Sequence, residues 1–354
     1  MNYRYLMDLD TLPNCENVMI YGTGQSGQML YKLLKAERPD VRLLGFIDSF
    51  TRGNLFDQQI YNVNDLSGSD ICPHTAVLLA SYNASWIDEM VENLLLLGFK
   101  NYWVNAMILN PMYRNLDLSQ YQHDIEWVRD RIDDSDRNLF DILIDTLVGN
   151  STYDLQRWYM KNKGDQYFDY ISIKSGDVII EGGVFDGGHT TRFADLVGEE
   201  GIVYGFDPFG DTIAKLWSRR TYTRNNLRII KKALWSNSGH LYFSDDGAGS
   251  TVSNDPSHAK NKVEGISIDD FALAFPIKGL NMIKLDVEGA EERVLQGAIQ
   301  TIKYYKPQMA ISIYHKVSDF FHLPKLIDSV LPEARFMLMT YSPTPTDTIL
   351  YVLP

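Results

Sequence analysis

One order of elements occurs twice along the chain, at residues 17–48 and again at residues 177–207. Each segment has an apolar run, a glycine-rich turn, a helix-like stretch and a second apolar run that ends in an acid. This order is the sequence form of a β-α-β unit, which holds a ligand at the carboxyl end of its first strand. Because one open sheet ordinarily has one such first turn, the 354 residues are predicted to form two doubly wound α/β domains.

Composition limits the classes of partner. The net charge of −13 and the pI near 5.0 disfavour nucleic acids and anionic membrane surfaces, which attract basic proteins. No apolar run approaches the roughly 18 residues of a membrane span, and the first residues do not resemble a signal peptide. Two cysteines, Cys15 and Cys72, do not make a disulfide framework. We therefore expect a cytoplasmic enzyme with a small-molecule partner, no nucleic acid and no membrane insertion; whether it is a homo-oligomer is left open.

The chain is predicted to have three parts, residues 1–110, 111–169 and 170–354. In the first and last parts, strands alternate with helical patterns, which is typical of parallel α/β sheets. The strands are expected at 18–21, 42–47, 76–80, 102–104, 178–181, 202–206, 227–231, 282–285 and 309–313. The middle part has apolar residues at helical spacing and almost no glycine, so two or three connecting helices are expected there.

The end of the chain differs from the rest. Residues 335–342 and 346–354 are strand-like and are separated only by turn residues, which permits an antiparallel pair but not a parallel crossover. A parallel sheet that ends in an antiparallel hairpin is the architecture of S-adenosylmethionine-dependent methyltransferases. Ordinary dinucleotide-binding folds lack that final pair of strands.

The second glycine turn, residues 181–187, begins with an acid that ends a predicted strand, and a second acid ends the next predicted strand. Glu181 ends the first strand and suits a cationic amino-acid group, while the glycines let a ligand approach the backbone. Asp207 ends the next strand, 20 residues after Gly187, where an acid ordinarily binds a pair of ribose hydroxyls. The alternative interpretation is a glycine-rich turn with two solvated acids.

Two further candidates follow predicted central strands. Asp286 comes directly after the fourth strand of the last part, and His315 comes soon after the fifth. Both are therefore expected at the edge of the sheet where Glu181 lies. A lone histidine after a strand is more often a structural hydrogen-bond donor. Glu291 is explained by the favourable effect of an acid in the first turn of a helix.

Several segments of the last part occur together in one known family. They are IKLDVEGAE, the acidic glycine turn with Asp207-Pro208 after the next strand, ALWSNSGHLYF, GAGSTVS, SIDDF and ISIYHK. Together they make residues 170–354 resemble the FkbM-type methyltransferases. The resemblance implies S-adenosylmethionine as methyl donor and O-methylation, often of a sugar or a natural-product hydroxyl. The cofactor-binding residues that it implies are Glu181, Gly183, Gly187 and Asp207, with Ala233 or Leu234 beside the adenine.

The chain departs from the family pattern in two places. The usual turn D-x-G-A-N-x-G is replaced by EGGVFDG, and the usual FEP is replaced by FDP at Asp207. Both replacements keep a carboxylate at the strand end, so cofactor binding is expected to survive.

Methyl transfer to a hydroxyl requires alignment of the acceptor oxygen and removal of one proton. Asp286 or His315 is a candidate base for that proton. Alternatively, Asp286, Glu288 and His315 bind Mg²⁺, a hard cation that prefers oxygen ligands. The positions alone do not decide between these two roles.

The first glycine turn has Gly22, Gly24 and Gly27 in the spacing Gly-x-Gly-x-x-Gly, and Asp48 follows 21 residues after Gly27. This pattern is typical of a dinucleotide or nucleotide site. Residues 16–105 also resemble the Rossmann-like N-terminal domains of sugar acetyltransferases and nucleotide-sugar dehydratases, which implies NAD or a nucleotide sugar as ligand. The alternative is a structural relic that binds nothing.

The leading prediction is an S-adenosylmethionine-dependent O-methyltransferase. Its acceptor would be a hydroxyl of a sugar, a nucleotide-linked sugar or a related polysaccharide or natural-product precursor. An NAD-dependent oxidoreductase is an alternative, but the first domain shows no obvious set of hydride-transfer residues. A catalytically silent nucleotide-binding scaffold is the third, supported by the unusual turn EGGVFDGG.

Overall fold

The structure is a computed structural model that describes most of the chain, namely residues 5–6, 9, 12, 17–67, 75–81, 84–105, 116–149, 153–209, 225–243, 252–253, 261–275 and 277–354. Cys15, Cys72 and most of the GAGSTVS segment lie outside these residues. The chain divides into two compact units. The first comprises Met1–Asp117, Ile142–Asn162 and Ser342–Pro345, and the second comprises Leu118–Asp141, Lys163–Tyr341 and Thr346–Pro354.

The first unit contains a seven-stranded sheet in the order β1-β7-β6-β2-β3-β5-β4. Its strands are β1 (Tyr5–Leu6), β2 (Asn17–Tyr21), β3 (Arg42–Asp48), β4 (Gly53–Leu55), β5 (Gln58–Asn62), β6 (Ala76–Leu79) and β7 (Asn101–Asn105). All neighbours are parallel except β4 and β5, which form a hairpin. Helix α1 (Gln25–Glu37) follows the first glycine turn, and helix α2 (Ala84–Leu96) precedes β7.

The apolar residues of β2 explain why this sheet is covered on both sides. Val18 and Ile20 belong to one buried cluster with apolar residues of α1, whereas Met19 and Tyr21 belong to another with those of α2. Successive side chains of a strand point to opposite faces, so the two helices cover opposite faces of the sheet. Continuous apolar strands of this kind are typical of parallel sheets that are buried on both faces.

The second unit contains a seven-stranded sheet in the order β10-β9-β8-β15-β16-β18-β17. Its strands are β8 (Val178–Gly182), β9 (Ile202–Phe206), β10 (Leu227–Ile230), β15 (Met282–Leu285), β16 (Gln308–Ser312), β17 (Arg335–Thr340) and β18 (Thr348–Leu353). The pairs from β10 to β16 are parallel, and β18 pairs antiparallel with both β16 and β17. The predicted α/β class with an antiparallel hairpin at the end is therefore confirmed.

The helices in the middle of the chain agree with the expectation of two or three. They are α3 (Gln122–Arg131), α4 (Arg137–Gly149) and α5 (Tyr153–Lys161). Those of the second unit that follow are α6 (Gly188–Val197), α7 (Ile268–Ala274), α8 (Glu291–Gln296), α9 (Ile299–Tyr305) and α10 (Asp319–Val330). No helix in the described ranges is long and apolar enough to cross a membrane.

Three features of the fold were not predicted. The first is the edge strand β1 and the second is the hairpin β4–β5, both in the first unit. The third is a four-stranded sheet in the order β11-β14-β12-β13, built from β11 (Ala233–Leu234), β12 (Gly239–Phe243), β13 (Val252–Ser253) and β14 (Asn261–Ile266). Strands β1, β11 and β13 have two residues each, too few for a hydrophobic period, whereas β12 (GHLYF) and β14 (NKVEGI) mix apolar residues with glycine and polar residues.

Candidate active site

The candidate site lies at the carboxyl edge of the second sheet, after the neighbouring strands β8, β15 and β16. In register, Glu181 of β8 lies opposite Lys284 of β15. Asp286 follows β15, and His315 follows β16. The expectation that these residues share one edge agrees with the strand order, because parallel neighbours end on the same side.

The second glycine turn requires its glycines. Gly183 has φ +79°, and a Cβ there would lie 1.8 Å from the carbonyl oxygen of Asp286. Gly187 has φ +77° at the start of α6. Any side chain at Gly183 would therefore push the turn after β8 away from the turn after β15. The two turns thus pack directly against each other.

Glu181 and Lys284 form a buried ion pair beneath this turn. The ammonium lies 3.6 Å from Oε1 of Glu181 and donates to the carbonyl oxygens of Gly182 (3.3 Å) and Gly183 (2.6 Å). Within the described part of the chain, neither carboxylate oxygen of Glu181 has a hydrogen-bond partner. Burial raises the pKa of Glu181 to about 7, although Lys284 opposes the shift. Lys284 was not predicted; its charge within the otherwise apolar strand β15 could have indicated it.

Asp207 lies at the end of β9, beside the glycine turn. Its two oxygens accept from the backbone N–H groups of Phe185 (3.2 Å) and Phe209 (2.9 Å). Burial raises the pKa of Asp207 despite these bonds. A carboxylate has about four acceptor positions, so this one can still receive further donors such as ribose hydroxyls.

Leu234 lies close to the second glycine turn, since a Cβ at Gly182 would lie 3.1 Å from one of its methyl groups. Ala233 and Leu234 are both buried. Ala233 and Trp235 pack with Leu241 in one buried cluster, so both belong to the core. An apolar surface beside the turn suits an adenine ring.

Asp286 is held by two tyrosine hydroxyls. Tyr167 donates to Oδ2 (2.8 Å) and Tyr314 donates to Oδ1 (3.2 Å). Burial would raise the pKa of Asp286, but the positive charges of Lys284 and His315 outweigh it and lower the pKa. Asp286 is therefore a fixed anion, with 28% of its side chain exposed.

His315 lies among three carboxylates. Its Nε2 is 3.5 Å from Asp286 Oδ1 and 3.7 Å from Glu288 Oε2, and its Nδ1 is 3.0 Å from Glu291 Oε1. Burial would lower the pKa of His315, but Glu291, Asp286 and Glu288 raise it to about 9. In the free protein His315 is therefore a cation at neutral pH, and it cannot accept a proton until that charge is removed.

Four residues with strained backbones surround this site. Tyr167, Phe185, Glu288 and Asp347 have positive φ angles between +51° and +70°, which residues other than glycine rarely adopt. Tyr167 bonds to Asp286, Phe185 lies in the cofactor turn, and Glu288 lies beside His315. Backbone strain of this kind concentrates at functional sites.

The first glycine turn is built for close packing at two of its three glycines. A Cβ at Gly27 would lie 1.9 Å from the carbonyl oxygen of Gly22, and Gly22 has φ +111°. At Gly24 the φ is −65°, and a Cβ would meet nothing within 4 Å in the described structure. Gly24 is therefore not required by packing, which leaves room for a ligand.

Asp48 organises the loop in which it lies. Its Oδ2 accepts from the backbone and the hydroxyl of Thr23, and its Oδ1 accepts from the backbone of Phe50 and Thr51. Burial would raise the pKa of Asp48, but these donors lower it. Four donors use the whole acceptor capacity of a carboxylate, so a ribose would have to displace some of them.

Comparison with known proteins adds to this geometry. Residues 181–338 match the family model described as Methyltransferase FkbM domain. The chain is similar in structure to the methyltransferase FkbM from Methylobacillus flagellatus KT, with a TM-score of 0.61, 19% identity and coverage of 96% of this chain and 90% of that one. It is also matched to fibrillarin from Aeropyrum pernix in complex with natively bound S-adenosyl-L-methionine, with a TM-score of 0.33, 12% identity and coverage of 51% and 67%. No curated protein matches.

The match of residues 181–338 to the FkbM methyltransferase domain confirms the resemblance seen in the last part of the sequence and supports a methyltransferase. This assignment supports S-adenosylmethionine-dependent methylation.

Proposed function

We propose that the protein is an S-adenosylmethionine-dependent O-methyltransferase whose acceptor is a hydroxyl of a sugar or a nucleotide-linked sugar, used in polysaccharide or natural-product synthesis. The observation that carries this proposal is the convergence of Asp286 and His315 at the edge where the cofactor turn lies. The family assignment favours it over the oxidoreductase and the silent scaffold. The cytoplasm is its proposed location.

The cofactor site would be formed by the turn from Glu181 to Gly187, with Asp207 on the ribose and Ala233 or Leu234 on the adenine. Asp286 and His315 would act on the acceptor hydroxyl. In the reaction the acceptor oxygen forms a bond to the methyl carbon, and the carbon–sulfur bond breaks with its electron pair passing to sulfur. The hydroxyl proton passes to a base or to water.

Acceptor identity is tested with purified full-length protein, S-adenosylmethionine and a panel of nucleotide sugars and free sugars. A mass gain of one methylene on a sugar supports the proposal. Cofactor binding with methylation of none of these sugars would contradict the proposed acceptor class but not the proposed methyl donor.

Asp207→Ala is expected to weaken S-adenosylmethionine binding by about 1.5–3 kcal/mol, the range of a lost charge-assisted hydrogen bond. Isothermal titration calorimetry measures the change. The matched control is Asp48→Ala, which removes an acid at the equivalent strand end of the first sheet and should leave this affinity unchanged. Wild-type protein that binds no S-adenosylmethionine would contradict the assignment of the cofactor site.

A second function is proposed for residues 1–110, namely binding of NAD or a nucleotide sugar at Gly22, Gly24 and Gly27. Support comes from the open space at Gly24.

Residues 111–169 are proposed to be a helical connector and residues 170–354 the methyltransferase domain.

Gly24→Val is expected to abolish nucleotide binding and to leave S-adenosylmethionine affinity unchanged, because the new side chain meets only the ligand. Calorimetry with NAD and UDP-sugars measures it. Gly279→Val is the matched control, since a Cβ there has its nearest neighbour at 3.9 Å, in the second unit. If wild-type protein binds no nucleotide tested, the first glycine turn is a structural relic.

A further inference from the structure

We propose that Asp286, Glu291 and His315 form a binding site for a hard divalent cation of the Mg²⁺ or Mn²⁺ class. One nitrogen of His315 and one carboxylate oxygen from each acid lie within 4.8 Å of one another. The inference rests on the proposed function, because it assigns the cation to the acceptor side of the same site. It differs from the sequence expectation, which named Glu288 in place of Glu291.

Glu291 supplies an independent observation that points to a ligand. Its side chain is completely buried, and among the described residues its Oε2 has no hydrogen-bond partner. The other oxygen accepts from the backbone N–H of Val287 (2.8 Å) and lies 3.0 Å from His315 Nδ1. A buried carboxylate oxygen without a partner is costly, and a cation at this position would remove that cost.

The charges around the site also favour a cation. Asp286, Glu288 and Glu291 each lie within 3.7 Å of His315. Burial and the charge of Glu291 raise the pKa of Asp319 to about 7. Lys284, whose charge lowers the pKa of Asp286, is itself paired with Glu181, and Lys316 donates to the carbonyl oxygen of Gly289. Three carboxylates therefore surround one imidazole, whose proton a bound metal ion would displace.

The ligand types define the class of metal. The two carboxylates give the set a majority of oxygen ligands, which favours Mg²⁺ and Mn²⁺ over Zn²⁺, Cu²⁺ and Ni²⁺, the metals that imidazole ligands favour. The hydroxyls of Tyr167 and Tyr314 fix the Asp286 carboxylate, as hydrogen-bonding partners of metal ligands commonly do. A cation beside Asp286 would lower the pKa of an acceptor hydroxyl, whose proton would then pass to water.

The structural alternative is that Glu291 serves only to accept the backbone bond at the start of α8. Glu291→Gln separates the two roles, since the amide oxygen can still accept from Val287 but carries no charge. Glu292→Gln is the matched control, because Glu292 lies in the same helical turn and accepts from Gln296 (3.2 Å).

The test uses full-length protein treated with a chelator and then dialysed. Calorimetry and electron paramagnetic resonance measure binding of Mn²⁺, and S-adenosylmethionine binding is measured on the same samples. We expect the wild type and Glu292→Gln to bind Mn²⁺ alike. Glu291→Gln should bind it at least about 10-fold more weakly, because the loss of even a hydrogen-bonding partner of a metal ligand costs about 10–100-fold in affinity. His315→Gln is a second variant in case Glu291→Gln does not fold.

The outcomes separate this inference from the proposed function. Wild-type protein that binds S-adenosylmethionine but not Mn²⁺ overturns the cation site and leaves the methyltransferase proposal intact. Equal Mn²⁺ affinity in the wild type and in both ligand variants also overturns the site. Mn²⁺ binding that is lost in Glu291→Gln supports it, even if no acceptor sugar is found.

Discussion

Asp286→Asn is expected to lower turnover by about 10²–10⁴-fold, while the dissociation constant for S-adenosylmethionine stays near that of the wild type. The asparagine keeps the shape of the side chain, and the tyrosine hydroxyls can rotate to donate or accept. What is lost is the fixed negative charge 3.5 Å from His315. That charge is needed whether Asp286 acts as a base or as a ligand of a cation.

Single-turnover assays measure the methyl-transfer step, and calorimetry measures cofactor binding. His315→Ala should behave in the same way, and Glu292→Gln should retain wild-type turnover. Loss of activity in chelator would show that the reaction needs a metal ion, whereas unchanged activity would favour the role of a base. Full turnover by both variants would show that neither residue acts in the reaction.

The strand edges could be predicted from the sequence because the strands of the second sheet are predominantly apolar. Strand β9 and strand β15 match their predicted residues, Ile202–Phe206 and Met282–Leu285. Since parallel strands end on one side, the acids that follow them were expected to meet. The terminal hairpin could be predicted because only a short turn separates β17 from β18.

Other parts of the site depend on contacts that no local pattern contains. Tyr167 bonds to Asp286 across 119 positions of sequence and comes from an irregular segment. Glu291 had a sufficient local explanation in the helix dipole, so the contact of its carboxylate with His315 was missed. Sequence spacing places a residue at an edge, but it does not give the side chains that face it.

Asp48 and Asp207 show the same limit more directly. Each ends the second strand of its β-α-β unit, at nearly the same distance from the last glycine. Asp48 receives four hydrogen bonds from its own loop, and its pKa falls. Burial raises the pKa of Asp207 instead. Equal spacing therefore predicts equal position, but not equal capacity to bind a ribose.

Lys284→Met is expected to destabilise the protein by about 3–5 kcal/mol at pH 8, where Glu181 of the wild type is ionised, because the buried carboxylate loses its counter-charge. Glu181 and Lys284 have 1% and 3% of their side chains exposed, so solvent cannot replace the lost partner. Lys316→Met is the matched control, since that lysine bonds to a turn carbonyl from an exposed position. Its removal should change stability by less than about 1 kcal/mol.

The loss of stability in Lys284→Met should become larger as the pH rises. The pKa of Glu181 in the folded protein is raised to about 7, so the folded state binds the proton more tightly than the unfolded state. This group therefore makes stability fall as pH rises from its unfolded value towards 7. Removing Lys284 raises that pKa further, so Lys284→Met should be more destabilising at pH 8 than at pH 6. Urea unfolding followed by circular dichroism measures both.

The double variant Lys284→Met with Glu181→Gln separates stability from cofactor binding. Without a buried charge it should recover most of the lost stability. The bonds from the ammonium to Gly182 and Gly183 are still absent, so the double variant should bind S-adenosylmethionine more weakly than Glu181→Gln alone. If the two variants bind it equally well, Lys284 serves only to compensate the charge of Glu181 and does not shape the second glycine turn.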